Sequence, residues 1–215
     1  MKLMMMTRSF SRMCPMLGAM LLLAWSAQRA DAQQYKIAAE NPEFDSLLSP
    51  QIDNQKKFRA KEWLDIEARL MVQMAPEPKS KTADQVIVKW YVVVQNPDKS
   101  GTFLLFTRDV THVNIPLGEE IYVSCYMSPA SIRRLLGEAR NPEKAVVACS
   151  YEVVVNGQPL AYATSSSRFP QGWWEKGGDK LIRSEVVPLL DKSQTPFNVM
   201  WWDRYAEVQP KDQGR

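Results

Sequence analysis

Histidine is almost absent from this sequence: 215 residues contain one His and three Cys. No Cys-x-x-Cys pair or Cys/His spacing suited to zinc occurs. There is no G-x-S-x-G nucleophile elbow and no glycine-rich phosphate cradle. The sequence therefore offers few routes to chemistry at neutral pH, and the expectation is a protein that is not an enzyme and uses no cofactor and no metal. His112 lies in TRDVTHVNIP near Asp109 and Asn114. A lone His without a second ligand at metal spacing reads as a polar strand residue facing solvent.

An excess of one charge is also missing. The whole chain has 27 basic and 24 acidic residues. Its N-terminus has a basic start (Lys2, Arg8, Arg12), a short apolar stretch from Met13 to Ala27, and small residues at Ala30 and Ala32. That is the pattern of a secretory signal peptide over 1–32, with cleavage expected before Gln33. The apolar stretch carries Pro15 and Gly18 and falls short of the roughly 20 residues of a spanning helix. Removing 1–32 takes away Lys2, Arg8, Arg12, Arg29 and Asp31, leaving 23 basic and 23 acidic residues. A balanced chain gives no electrostatic footprint for nucleic acid, and it permits self-association. Export, to the periplasm or the outer membrane and cell surface, is the expected localisation, with no transmembrane helix in the mature chain.

What is present is β patterning. A composition 45% apolar and 24% charged, with 7 Trp, is that of a globular chain. Residues 33–57, polar and broken by Pro42 and Pro50, read as an N-terminal arm. From Phe58 to Met74 apolar residues alternate with polar ones, placing Leu64, Ile66, Ala68, Leu70 and Val72 on one face of a long strand. Asp65 and Glu67 fall on the other face and read as a solvated, ion-paired surface, although two carboxylates converging in one cleft would suit a hydrolase. Val86 to Gln95 is a second strand, followed by shorter ones at Phe103–Phe106 and Val110–Ile115. A fifth carries Ile121, Val123, Cys125 and Met127. Ser128-Pro129 caps a short helix. Val147, Cys149, Tyr151, Val153 and Val155 share a strand face, and Asn156-Gly157 is a hairpin turn. A strand near Leu160–Ser165, a Gly-rich loop at 171–178 and a last strand near Leu181–Val187 follow. Phe197, Met200, Trp201, Arg204 and Tyr205 are spaced as one face of a helix over 196–207, and 209–215 read as a flexible tail. Antiparallel hairpin signals with one or two short helices predict one all-β domain over 58–208, a β-sandwich first and a barrel second.

The two cysteines of the mature chain, Cys125 and Cys149, share phase with apolar strand faces and are expected to point inward. Export favours a disulfide between them, which requires neighbouring strands, and two separate buried thiols are the alternative. Trp173, Trp174 and Trp202 can form an exposed contact surface or sugar platform, or can sit in the core and under loops.

Four strings stand out together: FRAKEWLDIEARL (Phe58–Leu70), VTHVNIPLGEEIYVSCYMSP (Val110–Pro129), YEVVVNGQPLA (Tyr151–Ala161) and TPFNVMWWDRYAEV (Thr195–Val208). They resemble a verrucomicrobial, Akkermansia-type family of secreted outer-membrane proteins. The resemblance implies an immunoglobulin-like sandwich similar to archaeal type IV pilus subunits. It implies association with the outer membrane, no enzymatic activity, and no catalytic residues to transfer. The expected function is protein–protein interaction at the cell envelope beside a type IV pilus-like system. The expected partners are envelope or pilus-system proteins, or further copies in a homo-oligomer. A carbohydrate-binding module recognising host or mucin glycans is the alternative.

Overall fold

The computed structural model describes residues 33–51, 59–137 and 141–210. The expected signal peptide at 1–32 and most of the tail at 209–215 lie outside the described residues. Eleven strands and one α-helix follow in order: β1 (Gln34–Ala39), β2 (Glu43–Leu48), β3 (Glu62–Ala75), β4 (Thr82–Gln95), β5 (Phe103–Pro116), β6 (Glu120–Met127), α1 (Pro129–Leu136), β7 (Val146–Val155), β8 (Gln158–Thr164), β9 (Leu181–Arg183), β10 (Leu190–Asp191) and β11 (Glu207–Val208). They form two sheets, one ordered β1-β3-β6-β10 with β2 also on β3, the other β11-β5-β4-β7-β8 with β9 also on β5. The result is the expected all-β sandwich.

The period-2 pattern decides what the sheets bury. On β3, Leu64, Ile66, Ala68, Leu70 and Val72 are buried, as the alternation requires. They meet Val86, Val88, Trp90, Val92 and Val94 of β4, together with Tyr151 and Val153 of β7, in one core cluster. Ile66 is fully enclosed, so Ile66→Val should cost about 0.5–1.5 kcal/mol, read from the urea midpoint. Ser128 caps α1 through its Oγ, which accepts the Ser131 N–H at 3.2 Å. Asn156 (φ 51°) and Gly157 (φ 76°) both adopt the left-handed backbone that a two-residue hairpin between β7 and β8 needs. Pro159 sits in β8, an edge strand, where its missing N–H costs no ladder bond.

Five expectations are corrected. Residues 33–57, read as an arm, hold regular edge strands in their described part, 33–51. These strands, β1 and β2, pair end to end along one edge of β3, at residues 70–75 and 62–67 respectively. Phe103–Phe106 and Val110–Ile115 are one strand, β5, not two. Val147 does not face the core but is 44% exposed. A register shift between Val93 and Val94 pairs them with Ala148 and Val146, leaving Val147 bulged out of the ladder.

The Cys125–Cys149 disulfide is absent. β6 pairs with β3 and β10 while β7 pairs with β4 and β8, so the two cysteines are not on neighbouring strands but face the core from different sheets, and both are free and buried. Burial pushes both thiols upward in pKa, and for Cys125 the nearby Cys149 and Asp65 add to it.

Residues 196–207 form no helix. They run as turns ending in β11. Here Trp201 has φ 53°, outside the helical region.

Candidate functional site

Part of each outer sheet face is covered, and each Trp-Trp pair marks a covering segment. Over the second sheet, Trp173 and Trp174 are buried in a cluster with Val93, Leu105 and Ala148. Trp173 donates from Nε1 to Ser150 Oγ at 2.9 Å, and Trp174 stacks on Tyr91 at 3.8 Å. These two rings are therefore not an open platform. Trp202, by contrast, is 63% exposed and lies in the segment that covers the first sheet. The structure thus separates the three candidate Trp residues into two places.

The C-terminal segment lies on the outer face of the first sheet. Phe197 packs edge-on against Trp63 of β3 at 5.7 Å and stacks on Tyr126 of β6 at 5.6 Å. Two backbone bonds fasten the chain to β6: Tyr122 N–H to Arg204 carbonyl at 3.1 Å, and Ala206 N–H to Tyr122 carbonyl at 2.9 Å. Lys192 anchors it from within, donating to the carbonyls of Asn198 at 3.3 Å and Met200 at 2.5 Å. Those carbonyls are thereby satisfied without a helix, and the following residue, Trp201, takes its left-handed backbone. A bulky residue holds that conformation only where surrounding contacts over-determine it.

This cover changes the character of Asp65 and Glu67. Both sit on the outer face of β3, in the phase read from sequence. Asp65 is nevertheless 5% exposed and carries no ion pair among the described residues. Its Oδ1 has no hydrogen-bond partner. Burial, then the neighbouring Glu67 and Asp45, push its pKa up to about 7, against smaller lowering by Tyr126 and Arg204. Glu67 is half-buried and committed: Arg204 binds its Oε1 at 2.6 Å and the Tyr205 hydroxyl donates to its Oε2. The solvated, ion-paired reading therefore holds for the Glu67 pairing and fails for Asp65.

The facing strand adds two more acids. Glu43 of β2 pairs opposite Glu67, and Asp45 opposite Asp65. Like charges directly opposite across a ladder repel, so this edge carries two unfavourable pairs in succession. Glu43, Asp45, Asp65 and Glu67 line one cavity of about 220 Å³, closed on its other side by Trp201, Arg204 and Tyr205. Arg204 also lies over the Tyr122 ring, 3.8 Å from its centroid. Asp65 and Glu67 both line this cleft, but both Glu67 oxygens are taken, by Arg204 and by the Tyr205 hydroxyl. Among the described residues no group of three or more His, Cys, Asp or Glu is disposed to hold a metal ion. A second cavity, a more apolar groove of about 400 Å³, runs between the exposed Val147 and the buried Trp173, with Lys176 and Lys180 at its rim.

His112 lies elsewhere and is not solvent-facing. It is 2% exposed because it shares the core-facing side of β5 with Val110, opposite Val86 of β4, and the chain entering β11 closes over it. Its Nδ1 is 3.3 Å from the Ala206 carbonyl, and its Nε2 is buried without a partner. Burial pulls its pKa down to about 4, below the ordinary 6.5. The unfolded chain binds the proton first, so stability due to His112 is full above about pH 6.5 and is lost as pH falls toward 4. His112→Gln should remove that share of the acid sensitivity, measured as the pH dependence of the urea midpoint.

Sequence reasoning found Asp65, Glu67 and Trp202 but not Glu43, Asp45, Arg204 and Tyr205 as their neighbours. No local signal joins positions so far apart in the chain. No helix of the described residues is long and apolar enough to cross a membrane. No curated protein matches this sequence. A sequence-family model matches residues 28–212. A protein from Akkermansia muciniphila, known from its crystal structure, is similar at 33% identity and a TM-score of 0.79, over 84% of this chain and 96% of that one. By the length of both matches, the chain belongs to this Akkermansia-type family.

Proposed function

We propose that the protein is an exported, non-enzymatic interaction module of the cell envelope that binds other proteins of a type IV pilus-like system through its C-terminal face. One observation carries this reading. Val199, Trp201 and Trp202 are 77%, 44% and 63% exposed, within four residues of a segment that is itself firmly anchored to the sheet. Large apolar groups held outward on a fixed backbone suit a docking surface, since little ordering cost remains to be met on binding. The sandwich supplies the rigid base, and the acidic cavity beside the patch supplies polar specificity.

The test is site-specific photocrosslinking in native envelopes. A benzoyl-phenylalanine at position 202 should yield a discrete adduct with another envelope protein or with a second copy of the chain. The same probe at Lys89, on the second sheet, should not. Equal adducts at both positions, or none at 202, would sink the proposal. Mucin glycans that quench tryptophan emission, with the effect lost in Trp202→Ala, would instead favour the carbohydrate-binding alternative.

A further inference from the structure

We infer that the cavity between β2, β3 and the C-terminal segment is a socket for a primary ammonium group, the side chain of a lysine presented by the protein partner. The inference rests on reading the C-terminal face as the contact surface.

Its first support is the charge pattern. Two like-charge pairs, Glu43 opposite Glu67 and Asp45 opposite Asp65, stand in succession on one ladder. Such pairs cost stability and need a compensating cation. Among the described residues, Arg204 is the one cation lining the cavity, and it is engaged with Glu67 at 2.6 Å. Lys192 is close by, but its Nζ is spent on two backbone carbonyls.

The second support is the hydrogen bonding of Asp65, a different observation from the charge pattern. Asp65 is 5% exposed, lines the cavity, and keeps Oδ1 without a partner. An orphaned buried acceptor costs about 1–3 kcal/mol, more when charged. A donor arriving through the cavity would relieve that cost.

The donor's chemistry follows from the shape. The carboxylates surround a space of about 220 Å³ rather than converging as metal ligands would. A guanidinium seeks two coplanar acceptors, whereas Asp65 offers one free oxygen because Tyr126 bonds its carboxyl. An ammonium is compact, has three donors, and rides on a slim apolar stem that reaches inward. The Trp201 and Tyr205 rings on the cavity wall suit both stem and charge.

Charge linkage gives a distinctive signature. The groups around Asp65 are Glu67 on its own strand, Asp45 on β2, Tyr126 on β6 with Cys125 on the other face of that strand, and Lys192, Arg204 and Tyr205 after β10. With the Asp65 pKa raised to about 7, its ionised fraction grows about tenfold from pH 6 to pH 8. An ammonium prefers the ionised form, so apparent affinity should grow by the same factor.

The experiment titrates the full ¹⁵N-labelled chain with Nα-acetyl-lysine methylamide and follows the Trp201 indole and Tyr205 amide signals. Saturable shifts should appear, tighten about tenfold between pH 6 and pH 8, and vanish in Asp65→Asn. The Nε-acetylated probe and calcium chloride should leave these signals in place. Absence of saturable shifts, equal binding of the acetylated probe, shifts with calcium alone, or binding retained in Asp65→Asn would each overturn the inference. Crosslinking at position 202 is independent of this titration, so a docking face without an ammonium socket would be recognised as such.

Discussion

Asp65→Asn should stabilise the fold at pH 8 and leave its stability nearly unchanged at pH 4. The carboxyl is held in a covered layer between β3 and the C-terminal segment, flanked by Glu67 and Asp45. Its pKa rises there from 3.8 to about 7. A raised pKa means that the folded chain holds this proton more tightly than the unfolded one. Stability is then full below about pH 4 and declines as pH climbs through 7. At about 1.36 kcal/mol per unit, the loss reaches about 4 kcal/mol above pH 8. Asparagine keeps the shape and the acceptor oxygen but has no charge to bury. Urea midpoints of both proteins at pH 4 and pH 8 provide the check. Equal destabilisation at both pH values would show that Asp65 serves a structural hydrogen bond and not a buried charge. His112 works in the opposite sense across pH 4 to 6.5, because its pKa is lowered to about 4. Asp65→Asn should therefore also unmask an acid-sensitive limb that the two groups hide from one another in the parent protein.

The interior of the sandwich was legible because it obeys one rule. Alternation on β3, β4, β6 and most of β7 places the same residues inward that the structure buries. What escaped depends on cover arriving from distant sequence. β1 and β2 are short edge strands whose alternate positions stay exposed, so QYKIAA and EFDSLL offer little apolar contrast. Asp65 sits where a strand's polar face should meet water, whereas His112 occupies the core-facing side of β5 with Val110, opposite Val86 of β4. The burial of Asp65 is caused by residues 197–206, more than 130 positions later. The C-terminal segment misled in another way. Phe197, Met200, Trp201, Arg204 and Tyr205 do recur at helical intervals. Yet the carbonyls of Asn198 and Met200 go to Lys192 Nζ, and Trp201 leaves the helical backbone region. A side-chain amine outcompeted the helix for its own hydrogen bonds, and no local pattern announces that. The Val147 error has a similar origin, since a bulge reverses phase without any glycine or proline to mark it.

Phe197→Ala should destabilise the protein by about 3–5 kcal/mol, the range for removing a buried aromatic ring. Phe197 is 1% exposed and touches three other rings, Trp63 at 5.7 Å, Tyr126 at 5.6 Å and Trp201 at 6.2 Å. It joins rings of β3 and β6 to the half-exposed Trp201 in one cluster. Its loss should act on more than the local cavity. Without that wedge, water gains access to the layer over Tyr126, and the desolvation that leads the causes of Asp65's raised pKa weakens. The decline in stability between pH 4 and pH 8 should therefore shrink in Phe197→Ala, in addition to the uniform cost of the missing ring. Urea midpoints across that pH range separate the two effects, because a pure packing loss shifts every point equally. A uniform shift with the full pH dependence retained would mean that Arg204, Tyr205 and Lys192 keep Asp65 covered without Phe197. The binding socket would then survive the loss of the aromatic stack.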